Sequence, residues 1–281
     1  MSGTLYIVPT PIGHLDDITL RALKVLRQVA CVAAEDTRSA QHLLRHHGIE
    51  TPTVSYFDGN EAKRSAELID RLLAGDDWAL ISEAGTPLIS DPGHRLVARA
   101  IAEQIRVEVL PGANAALTAL VGSGLDVEAF HFFGFLPRPK GDRQFLLGQV
   151  AQLSGSLIFY EAPTRTAATL DDLVTVLGAA RRACVARELT KIYEEYRRGT
   201  LADLARSAHQ TPPRGEVTIV VSGASETPAA VVDLETEVKR RLAAGERPNQ
   251  IAAALAIIAG VPRRQIYQLA IALKERPRSI P

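Results

Sequence analysis

Four short segments carry residues suited to holding a small ligand: Pro9-Thr10-Pro11, Glu35-Asp36-Thr37-Arg38, Glu83-Ala84-Gly85-Thr86-Pro87 and Pro111-Gly112-Ala113-Asn114. The third is the sharpest. Small residues at Ala84, Gly85 and Thr86 let a ligand approach the backbone closely, and Pro87 ends the strand and holds the turn. Each segment alone reads equally as an ordinary strand end. All four at one sheet edge point to a binding cleft.

The elements that must position them alternate strand and helix signals. Apolar runs at 5–8, 30–34, 78–82 and 107–110 read as strands, and each of the four segments follows one of them. Helix signals fall between: one after a cap at Asp16 or Asp17, one through Leu43 and Leu44, then 62–73, 92–104 and 115–121. This rhythm predicts α/β architecture with a mainly parallel sheet, whose ligands collect at the carboxyl ends of the strands. Gly122-Ser123-Gly124 reads as a linker. A second α/β unit is expected from near Phe130, with strands at 157–160, 183–186 and 217–221 and a helix over 169–177. Strand and helix signals mix over 193–204. A second linker is expected at 223–231, followed by three short helices at 234–242, 248–258 and 262–273 that suggest a helix-turn-helix-like module.

Composition narrows the chemistry. The 281 residues suit two medium domains with a small appendage. Lys and Arg number 32 and Asp and Glu 32, so the whole chain is not a polyanion binder, although a local basic patch is compatible with that balance. Cys31 and Cys184 sit in apolar runs and read as buried hydrophobes, too few for a zinc site; no metal is expected. The N-terminus has no signal-peptide pattern, and no apolar run approaches the ~20 residues of a membrane span, so a cytoplasmic protein without a membrane partner is expected. No G-x-G-x-x-G is present, which argues against a dinucleotide. Short loops beside carboxylates such as Glu83 suit instead a ligand without phosphates that carries a positive charge, as S-adenosylmethionine (SAM) does through its sulfonium.

Pro9-Thr10-Pro11-Ile12-Gly13, Ala34-Glu35-Asp36-Thr37-Arg38, the run from Ala84 through Pro87 to Asp91-Pro92-Gly93, and Leu157-Ile158-Phe159-Tyr160-Glu161 resemble the tetrapyrrole-methylase superfamily. Within it they resemble the branch that methylates small-subunit ribosomal RNA. The resemblance extends through Arg187-Glu188-Leu189-Thr190-Lys191 and Gly215-Glu216 to the C-terminal helices. Pigment-making members carry Gly-Asp-Pro where this chain has Gly85-Thr86-Pro87, which favours the ribosomal branch.

The resemblance implies two α/β domains, 1–122 and 123–225, with SAM in the cleft between them, and a C-terminal helix-turn-helix-like RNA-binding module at 232–281. It implies cofactor contacts from Pro9, from Glu83, Ala84, Gly85, Thr86 and Pro87 with Ile89, from Asn114 and Ala115, and from Tyr160, Glu161, Thr190 and Glu216. The implied reaction is 2′-O-methylation of a cytidine in the decoding region of 16S rRNA within the small ribosomal subunit, by a homodimer. Such a transfer needs a proton acceptor, for which Asp36, Glu188 and Lys191 are candidates; Lys191 qualifies only if its pKa is lowered. Arg38 and Arg165, the Arg138, Lys140 and Arg143 loop, and Arg263 and Arg264 are candidate RNA contacts. The C-terminal module adds Lys239, Arg240, Arg241, Arg247, Lys274, Arg276 and Arg278 against Glu235, Glu237, Glu246 and Glu275. Two other readings stay open: a methyltransferase of a tetrapyrrole or another small molecule, and a non-catalytic RNA-binding assembly factor or ligand-sensing regulator.

Overall fold

A computed structural model describes residues 2–224, 234–259 and 263–275. Most of the expected second linker, the turn Gly260-Val261-Pro262, and Arg276 and Arg278 lie outside the described residues. The chain resolves into two compact units, 1–223 and 224–281.

The first unit holds two five-stranded sheets. The first sheet is built from β1 (Thr4–Ile7), β2 (Cys31–Ala34), β3 (Thr53–Ser55), β4 (Trp78–Ile81) and β5 (Arg106–Val109), in the order β3-β2-β4-β1-β5. All its pairings are parallel. The helices α1 (Leu20–Gln28), α2 (Thr37–His46), α3 (Glu61–Leu73), α4 (His94–Ala102) and α5 (Ala115–Ser123) connect its strands or follow them. The strand sequences explain the layering. Val32, Ala34, Ala79 and Ile81 face one core with Leu26 and Leu44, while Cys31, Ala33, Trp78 and Leu80 face another with Leu68 and Leu96. A parallel strand buried on both faces must be apolar at every position, and β2 and β4 are fully buried.

The second sheet holds β6 (Phe130–Phe135), β7 (Ser156–Glu161), β8 (Arg182–Arg187), β9 (Glu195–Thr200) and β10 (Val217–Val221), in the order β6-β7-β10-β8-β9. Only β6 and β7 pair in parallel. One face packs on α6 (Lys140–Val150), α7 (Thr166–Leu177) and α8 (Leu201–Gln210). The other face, through Ile158, Cys184, Ala186 and Val220, packs on Ala116, Ala119 and Leu120 of α5 and on Ile12. Ile12 and α5, which follow strands β1 and β5 of the first sheet, thus pack on the second sheet and join the halves into one unit.

Several expectations are corrected. The helix after the first loop is capped by Thr19, whose side chain accepts from the Ala22 amide; Asp16 and Asp17 lie in a short 3-10 turn before it. Gly122-Ser123-Gly124 is not a linker: α5 runs to Ser123, and Gly124, at φ 72°, ends the helix in the left-handed conformation. The expected basic loop at 138–143 is mostly the first turns of α6. The short strand β3 carried no sequence signal of its own, because all three of its residues are only half-buried.

The second unit contains α9 (Leu234–Ala243), α10 (Pro248–Ala259) and α11 (Arg263–Glu275), packed around Val238, Ile251, Leu255, Ile266 and Ala270. Among the described residues no helix is long and apolar enough to cross a membrane, and no group of side chains is arranged to hold a metal ion.

Candidate active site: a two-chambered cleft

The four sequence segments do meet at the carboxyl edge of the first sheet, and hydrogen bonds tie the first, third and fourth together. The Thr10 amide donates to the Gly85 carbonyl at 2.9 Å, and the Gly85 amide returns a bond to the Thr10 carbonyl at 3.0 Å. The Thr86 hydroxyl donates to the Ala113 carbonyl at 3.0 Å. Gly85 sits at φ 83°, and a Cβ there would lie 3.3 Å from the Ile12 side chain, so a larger residue would be strained as well as crowded. Leu88 (φ 71°) and Ser90 (φ 70°) flank Ile89 in left-handed conformations that cost non-glycine residues free energy. The far end of this loop is tied down where the Gly93 amide donates to Glu61, which also accepts from the Tyr56 hydroxyl.

A cavity of about 490 Å³ opens between the sheets. Glu83, Ala84, Gly85, Thr86, Ile89, Asn114 and Ala115 line it from the first sheet, and Tyr160, Glu161 and Glu216 from the second. Pro9, Pro87 and Thr190 do not line it. Pro9 is buried against Gly112, whose missing Cβ makes room for the ring. Thr190 instead accepts a hydrogen bond from the His14 amide at 3.0 Å, joining the first loop to the turn after β8. The Glu161 carboxylate is buried and committed to the Thr169 hydroxyl, the Ala162 amide and the Arg165 guanidinium.

The chamber's walls differ in character. Tyr160 packs edge-on against Phe132 and Phe135, giving an aromatic side. Asn114 caps α5 by accepting from the Leu117 amide, so the positive end of that helix borders the chamber. Glu35, Glu83 and Asp91 also line the chamber and give it an acidic part. Burial, then repulsion from Glu35 and Glu83, pushes the Asp91 carboxyl up to about 6. Burial, then repulsion from Glu83, Asp58 and Asp36, also raises Glu35. An apolar aromatic wall, a helix N-terminus and an acidic wall fit the adenine, carboxylate and cationic parts of SAM in turn. Asp91 and Glu35 carried no assigned role at the level of sequence; what marks them is burial among like charges, which only the fold reveals.

A second cavity, about 590 Å³, adjoins the first. Ile12, Glu83, Ala84 and Glu216 border both. Asp36, Arg38, His42 and Lys191 line the second chamber alone. Its candidate proton acceptors are occupied. Asp36 caps α2 through the Arg38 amide (2.7 Å) and pairs with the Arg38 guanidinium (2.8 Å), and hydrogen bonds from the Arg38 side chain and amide hold its carboxyl down at about 2. The Glu216 amide donates to Glu188 and lowers its pKa. Lys191 bonds Glu188 at 3.0 Å and Glu216 at 3.2 Å. Burial disfavours its charge, but these two carboxylates outweigh that and raise its pKa. The condition for Lys191 to act as a base is therefore not met. Glu188 (φ 50°) and Thr190 (φ 65°) hold this turn in a strained shape, and Gly13 leaves the space that the Lys191 stem fills.

The basic candidates separate sharply. Arg143 is 5% exposed, pairs with Asp172 and donates to the Pro137 and Arg138 carbonyls, so it is a fold staple out of reach of RNA. Arg165 donates to the Leu136 and Pro137 carbonyls and pairs with Glu161, which spends it in the same way. Arg38, Arg138 and Lys140 are exposed. In the C-terminal unit Lys239, Arg240 and Arg241 are matched by Glu235, Glu237 and Glu246, while Arg263 (bonded to Asn249), Arg264, Arg247 and Lys274 stay exposed.

The fold and the cleft together define a class of enzyme. Residues 4–205 match the family described as Tetrapyrrole (Corrin/Porphyrin) Methylases, and the chain belongs to it. Diphthine synthase has a similar fold (TM-score 0.63, 14% identity, 78% of this chain and 90% of that one). So does uroporphyrin-III C-methyl transferase from Thermus thermophilus complexed with S-adenyl homocysteine (TM-score 0.58, 17% identity, 78% and 97%). Much closer in sequence are the proteins named ribosomal RNA small subunit methyltransferase I from Synechocystis sp. (45% identity, 97% of this chain, 99% of the relative) and Halalkalibacterium halodurans (44%, 95% and 94%). Within the methylases the chain belongs to that ribosomal RNA small subunit methyltransferase I family.

Proposed function

We propose that this protein transfers the methyl group of SAM to the ribose O2′ of a cytidine in the decoding region of 16S rRNA, on the small ribosomal subunit. The observation that carries the reading is the pair of adjoining chambers, one acidic and aromatic, the other opening beside the exposed Arg38, which share the wall at Ile12, Glu83, Ala84 and Glu216. The superfamily match ends at residue 205, whereas the ribosomal relatives align with 95% or more of the chain and so take in much of the C-terminal unit. A helical module shared with rRNA enzymes but outside the methylase core favours RNA over a pigment, and its exposed Arg263 and Arg264 are its phosphate contacts in a helix-turn-helix-like arrangement.

SAM, when bound, supplies an electrophilic methyl group. The residues here do the rest. The stitched loops at 83–89 and 113–115 form the rigid floor of the first chamber, and orientation of this kind can supply most of the lowering of a transfer barrier. The acidic wall favours a cation there. We assign the ribose proton to the acidic wall of the first chamber, Glu83 where it borders the second chamber and Asp91 behind it, because Asp36, Glu188 and Lys191 are each tied into an ion pair. A carboxylate with a pKa about 6 is a better acceptor near neutral pH than one held at about 2. A cytoplasmic homodimer completes the proposal. The test is tritium transfer from labelled SAM to small subunits isolated from cells that lack the modification: incorporation supports the reading, and SAM binding without incorporation refutes it.

A further inference from the structure

The second chamber has an entrance that the reaction alone does not explain. The outer face of α2 carries Arg38, His42, Arg45 and His46, and the helix contains no acidic residue. Arg38 lies at the mouth of the chamber, 90% exposed yet held in place by Asp36, so its guanidinium is preorganised and still open to an anion. His42 follows one turn later and also lines the chamber. Arg45 is exposed, with its Nε directed to the Gln41 carbonyl at 3.1 Å. Across the mouth stands the turn after β8. Lys191 lines the chamber, and the next two side chains, Ile192 (95% exposed) and Tyr193 (71%), project into solvent. Two large apolar side chains this exposed beside the Lys191 and Arg38 side of the chamber lose free energy in water unless something covers them.

Resting on the proposed function, we infer that a single RNA strand enters between these two elements. Its phosphates run along the α2 face, the target nucleotide sits in the 590 Å³ chamber, and Tyr193 stacks on an adjacent unpaired base. Charge complementarity selects the occupant. Glu35, Glu83 and Asp91 line the first chamber, whereas at the second the carboxylates Asp36 and Glu216 are engaged by Arg38 and Lys191. The outward-facing Arg38 and Arg45 are left to meet phosphates at the mouth, while the cationic methyl donor stays behind the shared wall. An aromatic side chain beside a basic track matches the way single strands are held. A peptide or a lipid surface gives no reason for a nucleotide-sized chamber at the end of the track.

The test uses the full chain and small subunits lacking the modification, with two variants, a His42→Glu/Arg45→Glu double and Tyr193→Ala. All three side chains are exposed, and none is assigned to the first chamber. SAM affinity by calorimetry should stay within about twofold of the parent, which reports an intact fold. The double variant should weaken subunit binding by at least roughly tenfold and reduce the slope of log affinity against log salt by about one or two. Tyr193→Ala should lower kcat/KM by roughly five- to a hundredfold, the value of one lost base stack. Unchanged subunit affinity and salt slope in both variants, with the parent binding normally, would overturn the strand path alone. Failure of the parent itself to bind or methylate subunits would overturn the functional reading on which it rests.

Discussion

At the scale of single residues, the cleft divides carboxylates that hold the structure from Asp91, assigned with Glu83 in the proposed function to the ribose proton. Asp36, Glu188 and Glu161 are acceptors for amides, hydroxyls and cations, and hydrogen bonds from Arg38 and from the Glu216 amide lower the pKa of the first two. Asp91 is pushed the other way, to about 6, by burial and by Glu35 and Glu83. The sign of its effect on stability follows. Its folded pKa lies above the unfolded one, so the folded state binds more protons between about 4 and 6, and stability from this group is lost as pH rises through that window. Asp91→Asn should therefore raise the melting temperature at pH 7.5, by roughly 2–4 °C if about 1 kcal/mol survives solvent screening. The same variant should lose about 10²- to 10⁴-fold in kcat while SAM affinity changes little. The parent's rate should rise with pH through about 6, and that inflection should vanish in the variant. A melting temperature that falls, or an inflection that persists, contradicts the assignment. Gly85→Arg, which forces a side chain into a left-handed backbone against Ile12, should abolish SAM binding in calorimetry. The backbone part of this site was legible in the sequence: Ala84-Gly85-Thr86-Pro87 announces a close-approach turn by residue type alone. Asp91 was not, because nothing in Ser90-Asp91-Pro92 distinguishes a turn aspartate from a buried one with anionic neighbours.

At the scale of elements, alternation read well wherever burial was complete on both faces, as in strands β2 and β4. The expected cap did not hold: Thr19, not Asp16 or Asp17, caps α1. The sequence misled where a charged residue turned inward. Arg143 looked like part of a basic loop, since long cations are rarely buried. Its helix places it over Asp172, with two carbonyls completing its bonds. Removing one partner of such a pair leaves an uncompensated buried charge. Arg143→Ala should cost about 3–5 kcal/mol in denaturant unfolding, with no specific loss of RNA affinity in whatever protein remains folded. Lys140→Ala, on the exposed side of the same helix, should cost within about 0.5 kcal/mol. Equal costs for the two would contradict the placement of Arg143. The turn at 188–191 is similar in kind: Glu188 and Lys191 suggested catalytic chemistry, and the structure gives them to a strained turn that closes on Gly13.

At the scale of the whole molecule, one methylase unit, with two sheets joined through α5, accompanies a separate helical unit that the ribosomal relatives share. The first unit contains both chambers. Cutting the chain after Gly223 should therefore leave SAM affinity close to that of the full chain while weakening binding to small subunits by roughly tenfold or more at physiological salt. Loss of SAM binding on truncation would contradict that division of labour. The central claim is the site of methylation, and one measurement addresses it most directly. Small subunits lacking the modification are incubated with the protein and methyl-labelled SAM, the 16S rRNA is cut into mapped fragments, the labelled fragment is digested to nucleosides, and the labelled product is identified by mass. The account predicts label on a 2′-O-methylated cytidine from the decoding region. Label on a base, or none at all while SAM binds, would contradict it.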